Sequence, residues 1–262
     1  MANPRGRIGL LARLARLPGN RFGLIECLLG YIAGFIVTEV AVVVYEEASH
    51  RQKVVGYALS VSGLIGLWTG FVAAAFLAVR VSGPRGRGLI ATFRSSYGVA
   101  IRPLVDVPLG IASGLFAQYL LGFVVELPLR PFVPHLYTRL DQPARSITAG
   151  VFGPGLVVLA LLVCVGSPLF EELFFRGLLL RGLVGAARSR MHLGAVSSVV
   201  FAVLTSSVLF GLAHYEALEL PALIGAGATF ALLAASTGRL GPGFIAHVTF
   251  NTATIITLVY SH

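Results

Sequence analysis

Apolar runs, each close to the roughly 20 residues that carry a helix across the hydrocarbon core, alternate along this chain with short segments rich in arginine, glycine and proline. The first run extends from about Phe22 to Tyr45 and the second from near Val54 to Val79. A third covers Pro103 to Val125, and a fourth opens after Gly153-Pro154-Gly155 and ends near Leu183. The fifth should begin near Ser197 and continue past His214 to about Leu220, where Pro221 stops it. A sixth, shorter run spans Ala222–Ser236, and a glycine-rich turn at residues 237–243 leads into a seventh, Phe244–Tyr260. The pattern predicts an all-α fold, a polytopic transmembrane helical bundle of about seven helices.

The polar segments divide these runs. Residues 1–21 set Arg5, Arg7, Arg13, Arg16 and Arg21 among Leu10, Leu11, Leu14 and Leu17, the pattern of a basic amphipathic helix on a membrane surface. The run that follows is too long for a signal-peptide core and lacks a small-residue cleavage site, so it reads as a retained span. Glu39, inside that run, is expected to face protein rather than lipid. Residues 80–102 read as a basic loop, and residues 184–196 as a connector along the membrane surface. Residues 126–149, with Pro128, Pro131, Pro134 and Pro143, read as loop. They separate an N-terminal part, residues 1–149 with helices 1–3 and the basic arm, from residues 150–262 with helices 4–7. An eighth helix within 126–149 would reverse the topology of the second half.

Composition sharpens the picture. Hydrophobic residues make up 56% of the chain and charged residues 12%, about half the charged share of a soluble domain, and the mean hydropathy is +0.86. The formal charge of +9 is almost wholly arginine, since Lys53 is the single lysine. In a soluble chain that excess would suggest nucleic acid. Here the cations flank apolar runs, so the expected partner is the lipid bilayer and no nucleic acid is expected. With Arg176 set aside, fourteen cations fall on the side of the N-terminus and five on the other, which places the N-terminus in the cytoplasm. Cys27 and Cys164 both lie within apolar runs and provide neither a disulfide framework nor a thiolate metal site.

The fourth run carries chemistry. Ser167-Pro168-Leu169-Phe170-Glu171-Glu172-Leu173-Phe174-Phe175-Arg176-Gly177 places two carboxylates and a guanidinium where charge is costly unless paired or facing water. On a helix, Glu172 and Arg176 share a face and can pair, while Glu171, about 100° further round the axis, is left free of that pair. A paired couple with a spare carboxylate suits a positioned base that activates water. A glutamate cluster snorkelling at a helix end is the plain alternative. Downstream, Phe210 and His214 stand four apart, as do His247 and Asn251. A lone histidine in a membrane helix is usually a packed, hydrogen-bonded residue, and Phe174, Phe175, Phe210 and Phe250 are packing residues by the same reasoning. The combination of Glu-Glu-x-x-x-Arg, a histidine and His-x-x-x-Asn along otherwise apolar helices is harder to assign to structure alone. His50, His135, His192 and His262 lie in loops or at termini and lack such spacing.

In order and spacing, these three pieces resemble the signature motifs of the CPBP family, the CAAX proteases and bacteriocin-processing enzymes, over about residues 150–260. The resemblance implies an intramembrane endopeptidase acting on a membrane-associated peptide or lipidated protein, in a bacterial cell membrane. Type II prenyl proteases of this family remove the last three residues of prenylated C-termini, and other members are linked to bacteriocin immunity. Carried over, Glu171 would be the general base and His214 would hold and activate the water. His247 and Asn251 would form an oxyanion hole, and Glu172, Arg176 and Phe210 would shape the site. No cofactor is expected on this reading. The alternative makes Glu171, His214 and His247 zinc ligands, although no His-Glu-x-x-His helix is present and asparagine is a poor zinc ligand. A catalytically idle immunity or peptide-binding protein is the competing functional class. A transporter would show two related halves with broken helices, and neither is visible here.

Overall fold

The computed structural model describes residues 9–20, 23–49, 57–83, 86, 88–148, 151 and 153–260. Among them ten helices follow one another and no strand occurs. They are α1 (Leu10–Leu14), α2 (Leu24–Ser49), α3 (Tyr57–Ser82), α4 (Leu89–Tyr97) and α5 (Pro103–Glu126). Then come α6 (Leu136–Thr148), α7 (Pro154–Ser189), α8 (Ala195–Leu212), α9 (Leu220–Thr237) and α10 (Gly241–Tyr260). Six of these, α2, α3, α5, α7, α8 and α9, are long and apolar enough to cross a membrane. The 20 residues of α10 match them in length. The chain is thus an all-α membrane bundle of about seven spans. Arg5, Arg7 and Arg21 of the basic arm, Arg51 and Lys53, Arg85 and Arg87, and His50 and His262 lie outside the described residues.

Small residues decide how the first two spans meet. A methyl group on Gly70 would collide with the Gly30 carbonyl oxygen, so α2 and α3 touch backbone to backbone. Thr38 lies on the same face of α2, with its hydroxyl donating to the Gly34 and Gly63 carbonyls. Glu39 is one residue further round and is exposed, contrary to the expectation that it faces protein. The interior is aromatic. Phe71 stacks on Phe174 at 4.0 Å between centroids, and Phe175 meets Phe210 edge-on at 5.3 Å.

The segments between spans hold more helix than the hydropathy pattern predicts. Residues 80–102 contain α4, whose Phe93 stacks on Phe76 and whose Tyr97 hydroxyl donates to the Ala75 carbonyl. Residues 126–149 contain α6, an amphipathic helix of 13 residues. At about 20 Å it is too short and too polar to cross a bilayer, so the order of the later spans is not reversed. Helix α7 runs on to Ser189, well past Leu183, because Leu180, Val184 and Ala187 are buried. Arg188 does not point to headgroups alone: it donates to the carbonyls of Ala15 and Leu17 and ties the N-terminal segment down. The connector is therefore confined to about residues 190–194. The fifth span starts at Ala195, near the expected Ser197, but ends at Leu212 rather than Leu220. Tyr215 adopts a left-handed φ of 57°, which breaks the helix, and Pro221 opens α9 instead of closing α8.

A buried cation and a buried carboxylate fix the start of α10. Arg181, 1% exposed, donates to the Gly238 carbonyl at 2.9 Å and abuts Gly98. Gly98 and Gly238 are the left-handed C-caps of α4 and α9, so the guanidinium sits where two helix C-termini converge. Asp106 is fully buried, pairs with Arg239 at 2.5 Å and accepts from the Arg102 backbone N–H at 2.7 Å. Backbone bonds from Leu240 to the Gly98 carbonyl and from Gly241 to the Ala100 carbonyl complete the anchor. The depth of α10, and with it of His247 and Asn251, follows from this turn.

Candidate active site

Within α7 the residues Leu162–Gly166 and Glu172–Leu179 are π-helical, a wider winding that recurs at functional sites. The second stretch carries Glu172 and Arg176, whose side chains are 1% and 0% exposed and approach to 3.0 Å. The nitrogen that makes this approach, Arg176 Nη1, is not aligned as a hydrogen-bond donor, so the pair is an ionic contact rather than a linear hydrogen bond. Arg176 Nη2 donates to the Gly227 carbonyl at 3.1 Å, and the guanidinium lies over the Phe210 ring at 4.3 Å. These contacts meet the cost of burying a cation.

His247 stands between the two glutamates. Its Nδ1 is 3.2 Å from Glu172 Oε1, and a carboxylate can only accept there, so Nδ1 carries hydrogen. Its Nε2 faces Glu171 Oε2 at 3.9 Å. Glu171 is the more accessible carboxylate, with 12% of its side chain exposed, and its Oε2 has no hydrogen-bond partner. The His247 ring stacks on Phe230 at 4.7 Å and meets Phe210 edge-on at 5.5 Å.

His214 lies in the turn after α8, and its ring packs on Phe210 at 4.7 Å. Its Nδ1 donates to the Phe210 carbonyl at 2.8 Å, which leaves Nε2 as the nitrogen with a lone pair. Burial holds this imidazole below the usual histidine range and so keeps it neutral. Asn251 points elsewhere: one amide N–H goes to the Val163 carbonyl, 2.9 Å away in the first π-helical stretch. The second amide N–H remains for another acceptor.

The structure thus brings Glu171, Glu172, Arg176 and His247 into one cluster, with Phe210 joining His214 to it. Asn251, one helical turn beyond His247, faces the backbone of α7. Among the described residues no three His, Cys, Asp or Glu side chains are gathered to hold a metal ion. Both His247 nitrogens face glutamates, and the His214 and His247 rings each pack on Phe210. The alternative set of Glu171, His214 and His247 is not such a group. The hydropathy pattern gave no sign of three further contributors. Phe230 stacks on His247, the Gly227 carbonyl holds Arg176, and Gly243 lies so close to Glu172 that a Cβ there would fall 2.8 Å from Oε2.

A buried carboxylate–histidine–arginine cluster inside a helical membrane bundle defines an intramembrane polar site. Residues 153–253 match the family described as type II CAAX prenyl endopeptidase Rce1-like. The resemblance drawn from the three motifs holds for this stretch, and all seven candidate residues fall inside it. That family is one of proteases, which is what this stretch of the chain is similar to. No curated protein and no solved structure matches the chain.

Proposed function

We propose that the protein is an intramembrane endopeptidase that cleaves a peptide bond of a membrane-associated or lipidated substrate, using water activated by Glu171 and His214 without a metal. One observation carries this reading. His247 is held between two glutamates, one of them locked to Arg176 and the other, Glu171, with a side chain 12% exposed and a buried Oε2 that has no hydrogen-bond partner.

Glu171 takes a proton from the water as its oxygen attacks the scissile carbonyl carbon. His214 Nε2, kept free by the Nδ1 bond to Phe210, accepts the water's other hydrogen and orients it. The carbonyl oxygen gains negative charge in the tetrahedral intermediate. His247 Nε2–H and the second amide N–H of Asn251 are the donors proposed to meet it. His247 acts as that donor when Nε2 as well as Nδ1 carries hydrogen, with Nδ1 turned to Glu172. When the C–N bond breaks, the proton on Glu171 passes to the leaving amine. The arginine distribution supports a cytoplasmic N-terminus.

The test is Glu171→Gln, which removes the base with almost no change of shape. Cleavage of a membrane-reconstituted substrate should fall by about 10²–10⁴-fold, the usual contribution of a general base, while the protein elutes and unfolds as wild type. Undiminished cleavage by that variant would refute the assignment.

A further inference from the structure

Helices α2 and α3, with the start of α4, enclose a groove of about 480 Å³ on their outer side. Its walls are apolar except for Glu26 and Arg80. Both lie at one end of the groove: Glu26 is in the first turn of α2 and Arg80 in the last turn of α3. From Glu26 the apolar wall continues along α2 to Ala33, a depth of about 10 Å at 1.5 Å per residue. A smaller hollow of about 170 Å³ adjoins it, walled by Asn20, Ser82, Ser189 and Arg190, and Glu26 lines both. Among the described residues no carboxylate lies within ion-pair reach of Arg80 or Arg190. One oxygen of Glu26 accepts from the Gly23 backbone N–H at 3.0 Å.

Any apolar groove in a bilayer meets lipid tails. This one also has a headgroup end, with two guanidinium groups that pair with no carboxylate among the described residues and with Glu26 between the tail groove and the polar hollow. A single ligand shape matches the three features: an acyl chain along the groove, a phosphate at Arg80 and Arg190, and a primary ammonium on Glu26. We propose that this is a binding site for one phospholipid of the phosphatidylethanolamine class. A phosphatidylglycerol headgroup offers Glu26 no cation, and the methyl groups of a choline headgroup leave it no N–H to donate.

Native mass spectrometry on delipidated protein, titrated separately with phosphatidylethanolamine, phosphatidylglycerol and phosphatidylcholine, tests the site. The wild type should form a one-to-one phosphatidylethanolamine adduct about tenfold tighter than the phosphatidylglycerol one. Arg80→Ala should weaken it roughly tenfold, as loss of one charge-assisted hydrogen bond does. Glu26→Gln should abolish the preference for ethanolamine over glycerol. Ala73→Leu, at an exposed position of α3, fills the groove without touching the core and should block the adduct. Equal binding of the two headgroups by wild type, or an adduct unchanged in both Arg80→Ala and Ala73→Leu, would overturn the proposal. So would competitive displacement by an isoprenoid-tailed peptide, which would assign the groove to substrate instead.

Discussion

Replacing Arg176 with methionine removes a cation from the bundle interior while keeping much of its volume. The wild-type guanidinium is 3.0 Å from Glu172, donates to Gly227 at 3.1 Å and lies 4.3 Å over the Phe210 ring. Neither partner of the ion pair is more than 1% exposed, so the Glu172 carboxylate would be stranded without access to water. Removing one member of a buried pair costs about 3–5 kcal/mol. His247 Nδ1, 3.2 Å from Glu172, remains as a second donor, which places the expected loss near the lower end, about 3 kcal/mol. Adding Glu172→Gln should recover part of that loss, with a coupling of about 1–3 kcal/mol across the double-mutant cycle. Trp68, the single tryptophan, is a native reporter because its ring stacks on Phe170, next to Glu171, at 4.7 Å. Unfolding in mixed micelles, followed by its fluorescence, gives the four free energies. An Arg176→Met protein within about 0.5 kcal/mol of wild type would refute the argument. So would a double variant that loses the full sum of the two single losses.

Two further outcomes concern protons and metals. Glu219 is pushed up to about 7, first by burial and then by Glu216, Asp141 and Glu126, so the folded protein holds its proton more tightly than the unfolded chain. Its contribution to stability is complete below the unfolded value of about 4.3 and is lost as pH rises through about 7. Glu219→Gln should therefore raise the melting temperature at pH 8 relative to wild type and change it little at pH 4, as calorimetry in detergent would show. Exhaustive treatment with EDTA and phenanthroline should leave proteolysis intact, and loss of activity that zinc restores would overturn the metal-free reading.

How much of this was legible beforehand depended on which signal each region carries. The spans could be read because burial in lipid demands nearly unbroken apolar sequence. The Glu172–Arg176 pair could be read because its four-residue spacing survives the change from α to π winding. The surface helices α4 and α6 were hidden, since their packing depends on partners far along the chain, as with Tyr97 on Ala75. The roles of Arg181 and Arg188 were hidden for a related reason. Counting arginines by side assigns them to headgroups, but both bind backbone carbonyls that only the fold brings near. Pro221 reads as a helix stop and so predicts His214 in mid-helix, whereas the left-handed Tyr215 ends the helix earlier. Gly243 matters for what it lacks, and Gly227 acts through a backbone carbonyl that every residue carries, so neither leaves a side-chain pattern to read.

The π-helical winding of Glu172–Leu179 has a consequence for length variation. A π turn accommodates an additional residue between stretches of α-helix. Losing one residue there while the wide winding is kept would rotate everything before the cut by about a quarter-turn relative to everything after it. Leu180 and Val184 could keep their buried seats only if Glu171 turned away from His247, and the reverse holds equally. Lipid-facing positions upstream, such as Val165 and Leu169, are exposed and free to vary in identity. The segment between Glu171 and Leu180 is constrained in number as well as in kind, and an indel within it would disconnect the two halves of the helix from each other's partners.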